Sequence, residues 1–550
     1  MKNSSFTRLQ ITCILFFGIA FAVFIAAGGV LLLSKDNEKA TDNTGQGEEE
    51  LADEMIYYPD KIELGQTVPD ISLYDKDGKE THISDFKGKN IILLFWTSWC
   101  SYCNKEFKLM PEYEELLSQY DDVEFILINK FDGEKETMEK AEDYLKENQI
   151  TFNNYYDTDL TMYNTLGVKV IPTFLGIDKD GILIFAHPDN IEDVEQLKAY
   201  IDYVRYGGSK ATQKFITEKL TSASGGVFVN YEESDQDGPT GHDILSESQG
   251  LMMEYAVKVD NRDLFDRYLN FTLEYMLNKN ELTGWMISEN KDEKYKLSTV
   301  NSLIDDLRIY DALCAAQEQW GGYKEQKEQW NNAIIKYNSK KNYLYDFYDS
   351  KAEQMANRLT LCFADLKAIK QLGDNEEEKT EIYNNTLKLV TEGYLGDGFP
   401  LYYNWYDYEK EEYQKDDLNM AETLVTLLHL AEVGELKGET LSWLKTTVTN
   451  GGIKARYTIK GEVVKEYNYE STAIYAILVM LAEEVGDTEL LTQALARMEK
   501  MRINDQGSEF DGSFGMGEGK DIYSYDQCMA LLAYAYVENR KDTEPVNSSN

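Results

Sequence analysis

The sequence predicts a multi-domain protein with one N-terminal transmembrane helix, an α/β domain and a larger all-α domain. Three observations carry this prediction. Residues 11–33 contain no charged side chain, residues 91–96 form an apolar run that leads into a Cys-x-x-Cys motif, and from about residue 212 the apolar residues recur at helical spacing. A chain of 550 residues has room for two globular domains beyond the N-terminal segment.

The uncharged N-terminal segment is long enough to cross a bilayer, which needs roughly 20 apolar residues. Lys2 and Arg8 precede it, and the first ten residues contain no acid, so the N-terminus should stay in the cytoplasm. A cleaved signal peptide is the alternative, but its apolar core is usually shorter. We therefore expect an uncleaved, single-pass anchor in the cell membrane over residues 1–33 and an acidic, solvated tether over residues 34–55. The domains that follow should be extracytoplasmic.

The motif Trp-Cys-Ser-Tyr-Cys at residues 99–103 opens a predicted amphipathic helix. A helix N-terminus favours a thiolate, so Cys100 is the predicted nucleophile and Cys103, one turn on, the resolving thiol. A zinc site would need a second cysteine pair at ligand spacing. The other cysteines, Cys13, Cys314, Cys362 and Cys528, are widely scattered, so a redox site is predicted and a metal site is not.

The residues around this motif extend the pattern. Residues 75–79 read as a hairpin turn, and the sequence Ile-Pro-Thr at 171–173 precedes a further strand. Residues 56–207 resemble membrane-anchored thioredoxin-like proteins of the TlpA/ResA type. The resemblance implies that Cys100 attacks, that Cys103 resolves, that a cis Ile171–Pro172 bond packs against the disulfide, and that Trp99 supports the redox site.

Two questions remain open within this resemblance. Glu106 falls where some relatives place an acid that tunes the thiols, but it also fits a solvated helix glutamate. The dipeptide Ser101-Tyr102 contains no proline, and the residues between the cysteines help to set the redox potential. The direction of electron flow to or from a thiol/disulfide protein partner therefore stays open.

Charge and composition exclude several classes of partner. The net charge is −43, from 98 acids and 55 bases, which argues against nucleic acid and anionic lipid as partners. The four histidines are not at metal-ligand spacing, and no glycine-rich loop stands in a phosphate-binding context. We therefore predict no cofactor. Cys314, Cys362 and Cys528 lie in apolar stretches and are expected to be small core residues.

The second half of the chain has a helical texture that predicts a closed ring of helical hairpins, an (α/α)-type toroid over residues 212–540, followed by a disordered tail at 541–550. A helical-repeat solenoid is the rival, but no repeat of fixed period is present. The predicted helices span residues 244–257, 263–276, 302–319, 323–338, 355–372, 376–392, 417–433, 440–448, 471–484, 488–501 and 524–537.

Several loops and helix starts in this half combine acids with aromatics. Aromatic faces stack on sugar rings, and paired carboxylates can protonate a glycosidic oxygen and activate water. Trp285, Tyr403 and Trp405 are the predicted sugar-binding aromatics.

The order of these segments resembles glycoside hydrolase family 8, whose members have an (α/α)6 barrel. Residues 246–250, Ser-Glu-Ser-Gln-Gly, match the family's Ser-Glu-Gly-Gln-Gly segment except at Ser248. The resemblance implies that Glu247 is the general acid, that Asp306 belongs to the family's Asp-Leu element, and that Glu470 holds the base. It also implies an inverting hydrolase that acts on a β-1,4-linked cell-surface or exo-polysaccharide.

Structural alternatives exist for each of these residues. Ser246 and Gln249 are spaced as a capping box, which would make Glu247 a helix-start acid with a lowered pKa. Asp306 can likewise be an ordinary helix-start acid, and the aromatic stretch at 402–408 can be packing. On that view the toroid is a non-catalytic module that binds a glycan or a partner.

Overall fold

The computed structural model describes residues 66–538, apart from residues 132, 192, 235–238, 289–295, 504–507 and 518. The predicted anchor, tether and C-terminal tail lie outside these residues. Within the described ranges, none of the helices combines the length and apolar character that a membrane span requires. The contacts between residues divide the described chain into two units between Ala211 and Thr212.

The first unit is built on a seven-stranded sheet with the strand order β2-β1-β5-β4-β3-β6-β7. Strands β3, β4 and β5 are parallel, and the remaining pairs are antiparallel. Every residue of β3 is buried, as the apolar run in the sequence predicted. The strands are β1 (Ser72–Tyr74), β2 (Glu80–His82), β3 (Asn90–Trp96), β4 (Val123–Asn129), β5 (Asn153–Tyr156), β6 (Thr173–Ile177) and β7 (Leu183–His187).

Helices cover both faces of this sheet, so that one hydrophobic cluster lies on each side of it. The predicted hairpin turn is confirmed: β1 and β2 pair antiparallel, and Gly78 adopts the positive φ of 78° that the turn needs. The helices are α1 (Ser101–Glu106), α2 (Met110–Leu117), α3 (Met138–Glu147), α4 (Thr161–Thr165) and α5 (Val194–Tyr206), with 3-10 turns at Ile83–Phe86 and Phe107–Leu109.

The second unit is a double ring of helices. Its inner helices contact one another in the cyclic order α7, α9, α11, α13, α15, α17 and back to α7, which closes the ring. They are α7 (Ser246–Lys258), α9 (Leu303–Gln319), α11 (Leu366–Ile369), α13 (Met420–Glu432), α15 (Thr472–Glu484) and α17 (Ser524–Glu538). Their buried apolar side chains form one large core, and the toroid predicted from helical periodicity is confirmed.

The even-numbered helices follow the inner ones along the chain. Helices α8, α10, α12 and α16 pack on the inner helix that precedes each of them, and α14 packs on α16. They are α6 (Ser209–Lys219, mostly in this unit), α8 (Arg262–Phe271, continued by a π-helical turn at Thr272–Met276), α10 (Lys324–Asn338), α12 (Glu376–Glu392), α14 (Gly438–Thr449) and α16 (Thr488–Glu499).

One predicted helix is wrong. Residues 355–372 contain strand β15, a 3-10 turn and only a four-residue helix, α11. Here β15 (Arg358–Thr360) pairs antiparallel with β16 (Trp405–Asp407), and an extended strand interrupts the helix that the apolar spacing predicted. The other ten predicted segments each contain a helix.

Short strands in the connections went unpredicted because each has only two or three residues. They are β8 (Ile244–Leu245), β9 (Met286–Ser288), β10 (Lys296–Leu297), β11 (Ser339–Lys340), β12 (Tyr343–Leu344), β13 (Tyr348–Asp349), β14 (Gln354–Met355), β15 (Arg358–Thr360), β16 (Trp405–Asp407), β17 (Glu412–Tyr413), β18 (Leu418–Asn419) and β19 (Arg456–Tyr457), with 3-10 turns at Leu361–Phe363, Lys465–Tyr467 and Gly519–Asp521.

Candidate active sites

The two motif cysteines lie where β3 ends and α1 begins. Cys100 is the N-cap of α1, and its Sγ accepts a hydrogen bond from the Cys103 N–H at 3.3 Å. Cys103 is one turn inside the helix and is 1% exposed, against 6% for Cys100. Both are free thiols. The helix N-terminus stabilises negative charge on the Cys100 sulfur, as a nucleophile requires.

The electrostatics of Cys103 fit a different task. Burial raises the pKa of the Cys103 thiol far above its usual value, and the neighbouring Cys100 raises it further. The Cys103 side chain therefore favours its protonated thiol form. The roles of Cys100 as nucleophile and Cys103 as resolving thiol stay predictions.

Glu106 is fully buried one turn beyond Cys103, so its interpretation as a solvated helix glutamate is wrong. Its carboxylate accepts hydrogen bonds from the Tyr113 hydroxyl, from Asn190 Nδ2 at 2.8 Å and from the Ile191 N–H at 3.0 Å. Burial raises the pKa of Glu106, although these hydrogen bonds oppose the increase. Glu106 and Cys103 are three residues apart on α1 and therefore share a face of that helix, which makes this buried carboxyl a candidate proton partner for the thiol.

The rim of the thiol site is partly apolar and exposed. Trp99 is 43% exposed, and the Lys135 ammonium lies 3.3 Å from the centre of its ring. The peptide bond between Ile171 and Pro172 is cis, as predicted, and the Ile171 carbonyl accepts a hydrogen bond from Cys100 Sγ at 3.5 Å. Pro172 is buried behind this contact.

A cleft of about 550 Å³ opens at one end of the helical ring. The first turns of α7, α9, α13 and α17 meet there, which places several polar side chains around one space. It is lined by Leu245, Glu247, Trp285, Ser302, Ile304, Asp305, Arg308, Arg358, Thr360, Cys362, Phe363, Asn404, Trp405, Asp416, Asp417, Asn419, Glu422, Val425, Arg456 and Tyr525.

Glu247 projects into this cleft from the start of α7, and no hydrogen bond to its carboxylate is present among the described residues. Burial raises the pKa of Glu247 to about 8, and the charge of Asp305 adds to the increase, while Arg308 opposes it. Burial and a neighbouring carboxylate thus outweigh the helix dipole, which alone would lower the pKa. The carboxyl is therefore protonated at neutral pH, as a general acid must be.

The capping-box interpretation of residues 246–249 is wrong. Leu245 is the N-cap, and the Ser246 hydroxyl donates instead to Asp305 Oδ2 at 2.6 Å. Gln249 is buried. In the side-chain orientation that satisfies both ends of its amide, Nε2 donates a hydrogen bond to the Gly225 carbonyl and Oε1 accepts one from the Val227 N–H.

Gly250 explains another part of the motif. A Cβ at this position would lie 3.2 Å from Cδ of Arg308, so a larger residue would press on that side chain. The glycine thus allows α7 to lie close to α9, which carries the partner groups of Glu247.

Asp306 does not line the cleft. It is fully buried and accepts hydrogen bonds from Thr283 Oγ1 at 2.8 Å, Asn301 Nδ2 at 2.7 Å and Trp330 Nε1 at 3.1 Å. These hydrogen bonds fix the start of α9 to the three residues that donate them, so Asp306 has a structural role in this position. The preceding residue, Asp305, faces Glu247 instead, because consecutive helical residues point about 100° apart.

Glu470 also lies away from the cleft. It forms ion pairs with Lys454 and Arg497, each at 2.8 Å, and accepts a hydrogen bond from Tyr475. Burial alone would raise the pKa of Glu470, but the hydrogen bonds from Lys454 and Tyr475 and the charge of Arg497 lower it overall. A carboxylate held by two cations at this position cannot activate water in the cleft.

A carboxylate that sequence reasoning missed faces Glu247 across the ring. Glu422 is in the first turn of α13, and α13 is diametrically opposite α7 in the cyclic order of inner helices. Burial raises the pKa of Glu422 to about 7, against the charges of Arg456 and Arg358. The available signal was weak, because an acid in the first turn of a helix also complements the helix dipole.

Two of the three predicted sugar-binding aromatics line the cleft. Trp285 and Trp405 do, and Arg358 stacks 4.7 Å from the ring centre of Trp405. Tyr403 does not line it: its ring stacks on Tyr413 with centroids 5.4 Å apart. Tyr403 therefore has a packing role, which was the alternative interpretation of the aromatic stretch at residues 402–408.

Comparisons with known proteins separate the two units in the same way. Residues 63–201 match the family Redoxin, and residues 231–344 match Glycosyl hydrolases family 8. The thiol-disulfide oxidoreductase ResA of Bacillus thuringiensis subsp. konkukian is 33% identical over 144 residues, which cover 26% of this chain and 79% of that protein. The chain belongs to the redoxin family, and its second unit matches the family 8 model over residues 231–344.

The toroid has relatives of its own. The putative lipoprotein YdaJ of Bacillus subtilis is 29% identical over 327 residues, which cover 58% of this chain and 84% of that protein. A solved structure described as a novel alpha-amylase from Clostridium perfringens is 28% identical, has a TM-score of 0.55, and aligns over 60% of this chain and 97% of its own. The chain thus combines an oxidoreductase domain with a hydrolase-type toroid.

Proposed function

We propose that this protein is anchored in the cell membrane, that its redoxin domain exchanges disulfides with an extracytoplasmic thiol partner, and that its toroid hydrolyses a β-1,4-linked cell-surface or exo-polysaccharide. The observation that carries the hydrolase proposal is Glu247. It is a protonated carboxyl in an aromatic-lined cleft, with an opposing carboxylate on the facing helix.

The redox step uses the asymmetry between the two cysteines. The Cys100 thiolate attacks a disulfide of the partner, forms a mixed disulfide and releases one partner thiolate. Cys103 then loses its proton, with Glu106 as the nearby acceptor, and attacks Cys100 Sγ. The second partner thiolate leaves, so the partner gains two electrons and the Cys100–Cys103 disulfide forms. The reverse sequence oxidises a dithiol partner.

The hydrolytic step uses the two opposing carboxyls. Glu247 donates its proton to the glycosidic oxygen as the bond to the anomeric carbon breaks. Glu422 takes a proton from the water that attacks the other face, which inverts the configuration. Since the pKa values are about 8 for Glu247 and about 7 for Glu422, the acid is protonated and the base ionised chiefly between these values.

The substrate bond follows from the family 8 resemblance, which implies β-1,4 linkages. The Clostridium perfringens relative is described as an alpha-amylase, so an α-linked glucan is the necessary comparison. The cleft favours a polysaccharide because Trp285 and Trp405 offer stacking faces within one open space.

The deciding experiment measures reducing-sugar release from a panel of β-1,4-glycans and starch. Wild type should cleave a β-1,4-glycan, Glu247→Gln and Glu422→Gln should each lose roughly 100-fold or more in kcat, and both should still bind it. Asp417→Asn is the matched control, since Asp417 lines the same cleft but is exposed. Cleavage of starch alone would contradict the linkage, and binding without cleavage by wild type would favour the glycan-binding alternative.

A further inference from the structure

A second, much smaller polar cavity lies inside the helical ring beyond the cleft, and Arg308 and Val425 line both spaces. Its volume is about 30 Å³, enough for one ion or one water. Asp365, His429 and Glu432 all line it, and one ligand atom from each lies within 4.8 Å of the others. His429 and Glu432 are in the last turns of α13, whereas the cleft residue Glu422 is in its first turn.

His429 supplies an observation independent of the acids. The side chain is 7% exposed, and its Nδ1 is a buried atom without a hydrogen-bond partner in the described part of the chain. Leaving a buried polar atom unpaired is costly, so such an atom in a polar cavity indicates a missing partner. His429 and Glu432 are three residues apart on one helix and therefore share a face.

The third donor comes from a different element. Asp365 is the N-cap of α11, and its Oδ1 accepts a hydrogen bond from the Ala368 N–H at 2.9 Å. One of its carboxylate oxygens belongs to the group of three donor atoms. The three donors thus join α11, the shortest inner helix, to α13.

Charge favours a cation in this space. Four acids and two bases line the cavity, which leaves a formal excess of two negative charges (4 − 2): Glu254, Asp311, Asp365 and Glu432 against Arg308 and Lys367. Lys367 is bonded to Asp311 at 2.8 Å, and the nearby Lys258 ammonium lies 3.3 Å over the Tyr536 ring. The negative end of the α13 dipole adds to the attraction.

We propose that Asp365, His429 and Glu432 bind a divalent transition-metal ion. Zn²⁺ is the ion that best fits their donor atoms. One imidazole nitrogen and two carboxylate oxygens are a donor set that zinc accepts, with water completing the coordination. The ion has a structural role: it joins the start of α11, which is only four residues long, to the end of α13.

The test uses the full-length chain with Cys100→Ser and Cys103→Ser, because a thiol pair can itself take up added zinc. After chelation, exposure to Zn²⁺ and dialysis, this background should retain about one equivalent of zinc by mass spectrometry, and its thermal midpoint should rise with zinc. Asp365→Asn and His429→Gln should each weaken zinc affinity roughly 10-fold or more. His242→Gln is the matched control, since His242 stacks on Phe228 in the same unit.

Asp365→Asn retains a residue type that caps helices, so it should fold even if His429→Gln does not. If His429→Gln loses its far-UV circular dichroism, it has not folded, and the zinc affinities of Asp365→Asn and Glu432→Gln then test the proposal. Retention of no zinc by the background, or of equal zinc by the background and the folded variants, would overturn the proposal.

Discussion

Glu247→Gln is the substitution that examines the toroid's chemistry most directly, because it removes one proton and almost no volume. The raised pKa of about 8 means that roughly nine in ten Glu247 side chains are protonated at pH 7. General-acid catalysis contributes typically 10²- to 10⁴-fold, so kcat on an unactivated glycan should fall by about that factor. Substrates with a good leaving group, such as dinitrophenyl glycosides, should lose much less, because their departure needs little protonation.

The same substitution should stabilise the domain. A carboxyl whose folded pKa exceeds its unfolded pKa, about 4.5, contributes stability that is fully present below that value and is lost as the pH rises toward 8. At pH 7 this loss is at most about 3 kcal/mol, and solvent screening at the half-buried side chain reduces it to about 1–2 kcal/mol. A glutamine has no such loss, so the variant should be inactive and more stable.

The assays are kcat against pH from 5 to 10 and urea unfolding at pH 5 and pH 7. Wild-type activity should decline with a midpoint near pH 8, and Asp305→Asn should move that midpoint lower, since the Asp305 charge helps to raise the pKa of Glu247. The variant's gain in unfolding free energy should be present at pH 7 and nearly absent at pH 5. Unchanged activity, or activity lost together with stability, would refute the reasoning.

Three further outcomes are expected. Alkylation at pH 6–7 should label Cys100 before Cys103, and Cys103→Ser should accumulate mixed disulfides with partners; equal, slow labelling of both would contradict the redox assignment. Glu470→Gln should lower the free energy of unfolding by about 1–3 kcal/mol, because Lys454 and Arg497 lose their ion-pair partner. It should change kcat less than twofold, and a large loss of kcat in a stable variant would show that Glu470 takes part in catalysis. Full-length protein should sediment with membranes and lose that property when residues 1–33 are deleted, whereas a processed form in the culture medium would indicate a signal peptide.

The thiol site was largely predictable from sequence because its chemistry is local. A buried strand, a Cys-x-x-Cys motif and a helix start are consecutive, so the N-cap position of Cys100 and the inner position of Cys103 follow from chain order alone. The burial of Glu106 did not follow, since its hydrogen bonds to Asn190 and Ile191 join residues more than 80 positions apart.

In the toroid, the sequence by itself determined ten of the eleven predicted helices and singled out Glu247, because helical periodicity and a short motif are both local signals. Tertiary structure decided which other acids share its cleft. Because consecutive residues of α9 point in different directions, Asp305 faces Glu247 while Asp306 accepts hydrogen bonds in the interior. Closure of the ring brings Glu422, which is 175 positions (422 − 247) after Glu247 in the chain, to the opposite wall of the cleft. Such juxtapositions depend on how helices pack around a common axis, and local sequence patterns carry no information about it.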